Sequence, residues 1–303
     1  MTHKNPTRIV ACIPYYKCQP YIRRAVTSLL SQTHRQLTVV VVNDADLGTP
    51  PWPVLSDIRD PRLVRFDLAE NMGPYFALQV VLNATSAPYL LIQDADDWSH
   101  PDRAARLLSA IDNEGADLAV SAQPQFVTMP NGHINKVATR WHRCRDEKDD
   151  IKLPFLVDRN ITSRFRYRAP HAGLVRTGTL RRLGGYYGGF RITSDVLLTN
   201  CILMSGKVAH VPQPLYHRFI RPGSLTHSPE TGTKSAYAEQ VRSQASALYA
   251  ECHHQYLKFL SGKISSGNFI DQLHAIRTSA ILPAHQVALI SETQRLLKHH
   301  PNL

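Results

Sequence analysis

The first 120 residues alternate short apolar runs with amphipathic stretches, and that alternation restricts the fold more than any single residue does. "RIVACI" (8–13) reads as a short β-branched strand. Residues 20–32 follow with Ile22, Ala25, Val26, Leu29 and Leu30 at the i, i+3, i+4, i+7, i+8 spacing of a half-buried helix. "LTVVVV" (37–42) is a continuous apolar run, as in a strand of a parallel sheet covered on both faces. "RLVRF" (62–66), "YLLIQ" (89–93) and "DLAVS" (117–121) are further strands. Residues 74–84 are helical, with Pro74 suited to an early position, and Pro101 opens another helix carrying Ala104, Leu107, Leu108 and Ile111, with Ser99 or His100 as its cap. Repeated strand–helix–strand units predict a doubly wound α/β sheet, mostly parallel, with helices on both faces.

Ligands of such sheets bind beyond the carboxyl ends of the strands. Four polar segments fall there: "PYYK" (14–17), "NDAD" (43–46), "ENMGP" (70–74) and "DADD" (94–97). They are scattered in sequence, yet the topology brings them to one rim. Asp94, Asp96 and Asp97 crowd the end of one strand, which is electrostatically costly. Taken alone, they read either as a cation site or as an over-supplied cap for the next helix.

Beyond residue 122 the pattern loosens. "MPNGH" carries an Asn-Gly turn and predicts a hairpin. Residues 139–169 are polar and basic, the pattern of a loop-rich insertion. "GLVRTGTLRRLGGYYGGF" reads as a strand, a short helix ending at Gly184-Gly185, and a glycine-rich loop. Residues 194–205 are helical, "KVAHV" and "LYHRF" are strands, and the chain is helical from about 233 onward.

Composition narrows the function classes. With 303 residues the chain is long enough for one large or two small domains. No apolar run approaches the roughly 20 residues of a membrane span. "MTHKNPTR" is not followed by the apolar segment of a secretory signal. Five scattered cysteines contain no Cys-x-x-Cys, which argues against a disulfide framework or structural zinc and fits a cytoplasmic setting. The net charge of +11 points to an acidic partner such as a phosphate-bearing small molecule, nucleic acid or anionic membrane. No nucleic-acid motif accompanies the charge, so nucleic acid is not expected.

The ordered segments "IPYYKCQPYIRRAVTSLLSQTH", "VVVVNDAD", "DPRLVRF", "ENMGP", "YLLIQDADDW", "SD" (194–195) and "RPGSLT" (221–226) resemble those of the family 2 glycosyltransferases. The resemblance implies a GT-A fold over 1–230, with a nucleotide-sugar-binding half (1–122) and an acceptor-binding half (123–230). The helical region 231–303 lies outside it. It also implies inverting transfer of a sugar from a UDP-sugar donor to an acceptor hydroxyl, aided by Mn²⁺ or Mg²⁺.

Within that resemblance, Asp96 is the metal contact and Asp94 sits near the ribose or the metal, with Ala95 between them in the donor site. Asp44 matches the aspartate that accepts from the nucleotide base. Pro14 and Tyr16 match a strand-end motif whose aromatic packs on the base, and Arg62 and Asn71 match further nucleotide contacts. Asp195 matches the general base, with Ser194 where the family has Glu. Arg221 stands where the family often has His, and can bind phosphate in a bidentate manner; His217 and His227 are nearby alternatives. Lys17, Leu78 and Gln79 depart from the family pattern, the last two replacing an Arg-Asn pair that supplies a cation to the diphosphate. These departures, with those at Ser194 and Arg221, motivate the alternative of a noncatalytic nucleotide-sugar-binding protein. The acceptor is read as a soluble small molecule or a cell-surface glycan precursor, anionic if the basic excess serves it. The C-terminal helices either cover the catalytic core or form a homodimer face.

Overall fold

The computed structural model describes residues 8–129, 133–140, 172–221, 223–225, 227–232 and 234–303. The chain begins β1 (Ile9–Tyr15), α1 (Gln19–Leu30), β2 (Leu37–Asn43), β3 (Leu63–Asp67), α2 (Pro74–Ala84), β4 (Tyr89–Ile92). β1 pairs in parallel with β2, from Ile9↔Leu37 to Tyr15↔Asn43, and with β4, from Ile9↔Tyr89 to Cys12↔Ile92. β3 joins the far side of β2, with Asn43 opposite Asp67. This register carries the segments after Tyr15, Asn43 and Ile92 past one rim.

The apolar pattern explains why the sheet is covered twice. Side chains alternate across a strand. Val10, Cys12, Val40, Val42, Leu90 and Ile92 therefore belong to one core, and Ile9, Ala11, Ile13, Val39, Val41, Tyr89 and Leu91 to the other. Val39 to Val42 are all fully buried, each contributing roughly 1.5–3 kcal/mol relative to exposure. Any one-residue slip would exchange the two cores.

The second half of the sheet runs β5 (Trp98–Ser99), α3 (Arg103–Glu114), β6 (Leu118–Thr128), β7 (Ile134–Arg140), β8 (Leu174–Arg176), α4 (Thr177–Arg182), α5 (Ser194–Ser205), β9 (Val208–Pro214) and β10 (Tyr216–Ile220). β8 inserts antiparallel between β4 and β6. The long β6 pairs first with β9 and then with β7 and β10, joining two sheet segments. The hairpin expected around "MPNGH" is present as the antiparallel β6–β7 pair, although residues 130–132 of its turn lie outside the described residues. The basic insertion, apart from its first residues in β7, also lies outside them.

One local expectation is corrected. The helix after "DADDWSHP" starts at Arg103, with Asp102 at the N-cap position and no side-chain cap bond; His100 Nδ1 accepts the Asp102 amide at 3.2 Å just before it. Ser99 belongs instead to β5, which pairs antiparallel with Tyr216–His217 of β10. A partner more than a hundred residues away overrides the local capping preference.

The remaining helices are α6 (Ala236–Leu260), α7 (Ser266–Thr278) and α8 (Pro283–His299). Ser235 and Ser265 cap α6 and α7 by accepting the amides of Ala238 and Asn268. Tyr249, Tyr256, Phe269, Leu273, Leu289 and Leu296 join the core that covers one face of the sheet with α2 and α5. No described helix is long and apolar enough to cross a membrane.

Candidate active site

β4 ends in a tight turn in which the Asp97 amide donates to the Asp94 carbonyl at 3.2 Å. Ala95 turns its methyl into the core behind the turn. Carboxylate oxygens of Asp94, Asp96 and Asp97 thereby come within 4.8 Å of one another. Asp97 is fully buried; its Oδ1 accepts the Phe219 amide at 2.6 Å, while Oδ2 has no hydrogen-bond partner among the described residues. Burial, reinforced by Asp96 and Asp94, pushes the Asp97 carboxyl well above the ordinary range. Burial and Asp94 also push Asp96 up, against the opposing Arg221 guanidinium. A clustered all-oxygen donor set with an orphaned buried carboxylate oxygen fits a hard divalent cation such as Mg²⁺ or Mn²⁺.

Several cations brace the cluster. Arg221, just past β10, donates Nε to Asp96 Oδ2 at 2.8 Å and Nη2 to the Cys18 sulfur at 2.8 Å. Arg24 on α1 donates to the Asp96 carbonyl at 3.0 Å and lies over the Trp98 ring at 3.8 Å. Behind the turn, fully buried Arg103 binds the Ile92 and Ala172 carbonyls and the Ser99 hydroxyl, and stacks over Tyr216. Burial lowers the Arg103 pKa to about 10.

Asp44 follows β2 and is almost wholly buried. Its oxygens accept the Met72 amide at 2.7 Å and the Gly73 amide at 2.8 Å, so it ties down the entry to α2. Burial raises its pKa, opposed by those two amides and by Arg191. Asn71 donates to the Asp44 carbonyl at 3.0 Å and in turn accepts from Arg191. Asp46 organises the neighbouring loop by accepting from Lys17, Gly48 and both donors of Thr49. Burial opposes ionisation there, but these donors outweigh it and hold Asp46 below the usual carboxylate range.

Asp195 enters the site at the start of α5. Its Oδ1 accepts the Tyr75 hydroxyl at 2.5 Å. The helix is capped by Thr193 in the left-handed region at φ 72°, a costly conformation for a β-branched residue. The preceding glycine loop is clamped from several sides. Gln79 Oε1 accepts the amides of Tyr186 and Tyr187 at 2.7 and 3.1 Å, and buried Arg277 on α7 donates to the carbonyls of Leu183 and Gly185.

The expected residues distribute unevenly. Asp94, Ala95, Asp96 and Arg221 form one cluster, and Asp44 and Asn71 form an adjoining one. Pro14 is half-buried near the end of β1, and Tyr16, 42% exposed, presents its ring just beyond it. Lys17 lies over that ring at 5.1 Å. Arg62 is not brought to this rim. It precedes β3, at the opposite end of the strand from Asp67, and its guanidinium is spent on Asp60 and the Leu30 carbonyl. His217 stacks on Trp98 at 5.2 Å, and burial lowers its pKa. His227 pairs with Ser224 at 2.8 Å.

Several participants were not read from the sequence: Tyr75, Arg191 and Cys18, and the bracing arginines Arg24, Arg103 and Arg277. Only Arg191 left a signal, as a lone cation in the loop leading to Asp195. Leu78 and Gln79, expected only as departures, have structural roles: Leu78 is buried in the core and Gln79 clamps the glycine loop.

Residues 10–170, more than half of the chain, match the profile described as glycosyl transferase family 2, and the chain belongs to that family. Succinoglycan biosynthesis protein ExoO of Rhizobium meliloti is 28% identical over 218 residues, 70% of this chain and 60% of that protein. Glycosyltransferase GlyA of Streptococcus pneumoniae is 31% identical over 121 residues, 39% of this chain and 17% of that protein. The chain therefore spans less than two thirds of the length of these relatives. Among solved structures, S. aureus TarS 1-349 with UDP matches at a TM-score of 0.54 and 14% identity, covering 97% of this chain and 91% of that one. The same protein with UDP-GlcNAc matches at 0.56 and 15%, covering 97% and 92%. At such identity the likeness is one of fold, and that fold is GT-A.

Proposed function

We propose that the chain is an inverting glycosyltransferase that moves a sugar from a UDP-sugar to an acceptor hydroxyl. The observation that carries this reading is the pairing of two separate carboxylate sites. The Asp94–Asp96–Asp97 cluster suits a cation, while Asp195 is bonded to Tyr75, whose hydroxyl also feels the charge of Asp94. Asp96 is the residue that would ligate Mn²⁺ or Mg²⁺, with Asp94 and Asp97 beside it. Such an ion, when bound, neutralises charge building on the β-phosphate oxygen.

Asp195 takes the proton of the acceptor hydroxyl. The freed electron pair forms the new bond to the anomeric carbon from the face opposite the diphosphate, the bond from that carbon to the β-phosphate oxygen breaks, and UDP leaves. A single displacement inverts the configuration. Tyr16 offers an exposed ring to the base beside Pro14, and Arg221 offers a guanidinium to the diphosphate. Asp44 and Asn71 hold the nucleotide end of the rim, and each Asp44 oxygen retains a lone pair beyond its amide bond.

The UDP and UDP-GlcNAc held by TarS favour UDP as the donor nucleotide. The names of relatives, succinoglycan biosynthesis and teichoic acid poly(glycerol phosphate) polymerase, favour a cell-surface glycan precursor over a small molecule as acceptor. The test is UDP release across a panel of UDP-sugars with Mn²⁺ or Mg²⁺. Asp96→Ala should abolish it, and full activity in EDTA would remove the metal from the account. The Asp96–Arg221 ion pair favours a second reading, a noncatalytic nucleotide-sugar-binding protein. UDP binding without transfer to any acceptor in a broad panel would establish that reading instead.

A further inference from the structure

We infer that Tyr75 is the positioning residue of the reaction, holding one oxygen of Asp195 so that the other faces the acceptor hydroxyl; this rests on the reading of Asp195 as general base. Tyr75 follows Gly73 and Pro74 at the start of α2, and its hydroxyl donates to Asp195 Oδ1 at 2.5 Å. A carboxylate on a loop-capped helix start has two torsions to fix. The short bond from the Tyr75 hydroxyl fixes one of its oxygens, and hydrogen bonds of this kind to a carboxylate belong to the stronger class. Burial, with Asp195 and Asp94 close by, pushes the Tyr75 phenol far above its usual range, so the hydroxyl remains a donor at any working pH.

The backbone that carries Tyr75 is itself fixed from the donor side. Asp44 accepts the amides of Met72 and Gly73, and Arg191 anchors Asn71. Gly73 sits at φ 91°, and a Cβ there would press on the Arg191 side chain at 3.3 Å. The route is therefore continuous: Asp44 sets residues 71–73, these set the first turn of α2, and Tyr75 sets Asp195.

On the other side, Thr193 holds a left-handed conformation at φ 72° immediately before the helix turn that bears Asp195. Backbone strain of this kind persists only where its surroundings over-determine it. The Tyr75 bond supplies one such determinant across the site.

The experiment compares wild type, Tyr75→Phe, Asp195→Asn and the double variant for UDP-sugar affinity by calorimetry and for transfer by steady-state kinetics. Phe keeps the ring and removes only the hydroxyl. Tyr75→Phe should lower kcat about tenfold to a hundredfold while donor affinity stays within about twofold, the scale expected when a catalytic group is misaimed rather than removed. In the Asp195→Asn background, adding Tyr75→Phe should cost nothing further. A fall in kcat that repeats in full on the Asp195→Asn background, or a matching loss of donor affinity, would overturn the inference by showing that Tyr75 acts elsewhere. A silent Tyr75→Phe beside an inactive Asp195→Asn would also overturn it, leaving the base assignment intact. Near-normal turnover of Asp195→Asn would instead remove the base assignment itself. Tyr75→Trp, melted alongside the others, separates loss of fold from loss of aim: a folded variant with poor turnover and intact donor binding supports positioning, and one with intact turnover contradicts it.

Discussion

The two halves of the rim are built by different means. On the side proposed to take the nucleotide, Tyr16, Asp44 and Asp94 each follow a strand, and the strands are locked in register by apolar residues buried on both faces. On the side proposed to face the acceptor, Asp195 follows a glycine loop whose shape is imposed by distant parts of the chain: Gln79 on α2, Arg277 on α7 and Tyr75 across the site. The first half is a property of the sheet and the second a property of tertiary clamps. Changes on the acceptor side should therefore separate transfer from nucleotide binding, and changes in the clamps should be felt far from where they are made.

Gly185→Ala is the harshest probe of that difference. Gly185 has φ 79°, and a Cβ would collide with the Gln79 amide. The variant should lose about 1–3 kcal/mol of stability and most transfer, yet keep UDP affinity. Denaturant titration and calorimetry on the same protein check this; a parallel loss of UDP binding would erase the distinction between the halves.

Asp46→Asn probes the nucleotide side through pH. The Asp46 pKa is depressed in the folded protein, so its ionised form contributes stability above the unfolded carboxylate value of about 4 and loses it as pH falls through the folded value. The variant should melt lower than wild type at pH 7, and the gap should close on descent below pH 4. A gap that stays constant with pH would assign the effect to shape rather than charge.

Thr193→Gly carries the smallest expected effect. Glycine adopts a positive φ at no steric cost, so relief of the Thr193 conformation should offset glycine's greater freedom in the unfolded chain, leaving Tm within a few degrees of wild type. The looser cap should lower transfer only a few-fold. Transfer equal to or above wild type would mean that the strained cap does not help to hold Asp195.

The same contrast explains what could be read in advance. The clustering of Asp94 and Asp96 at one rim was legible because an apolar run that ends in carboxylates has few uses, and because the strand pattern places that end beyond the sheet. The same logic placed the segments that carry Asp44 and Asn71 on that rim, while a nucleotide role for either residue came only from the family resemblance. Arg62 failed it: the residue lies before its strand, and in a parallel sheet that end faces away from the rim. Ser99 and His100 looked like caps because nothing local announces the pairing of β5 with β10. Tyr75 was invisible, since its partner lies 120 residues further along the chain. A glutamine at 79 gave no hint that its oxygen would close a loop more than a hundred residues away.

The central claim is that one rim carries a nucleotide site set by the sheet and a general base set by clamps. Asp195→Asn tests it most directly, because the change removes basicity while preserving shape. UDP affinity, measured by calorimetry in the presence of Mn²⁺, should remain within about twofold of wild type, while sugar transfer falls at least about a hundredfold, the minimum expected on loss of a general base. Transfer near the wild-type rate would contradict the account.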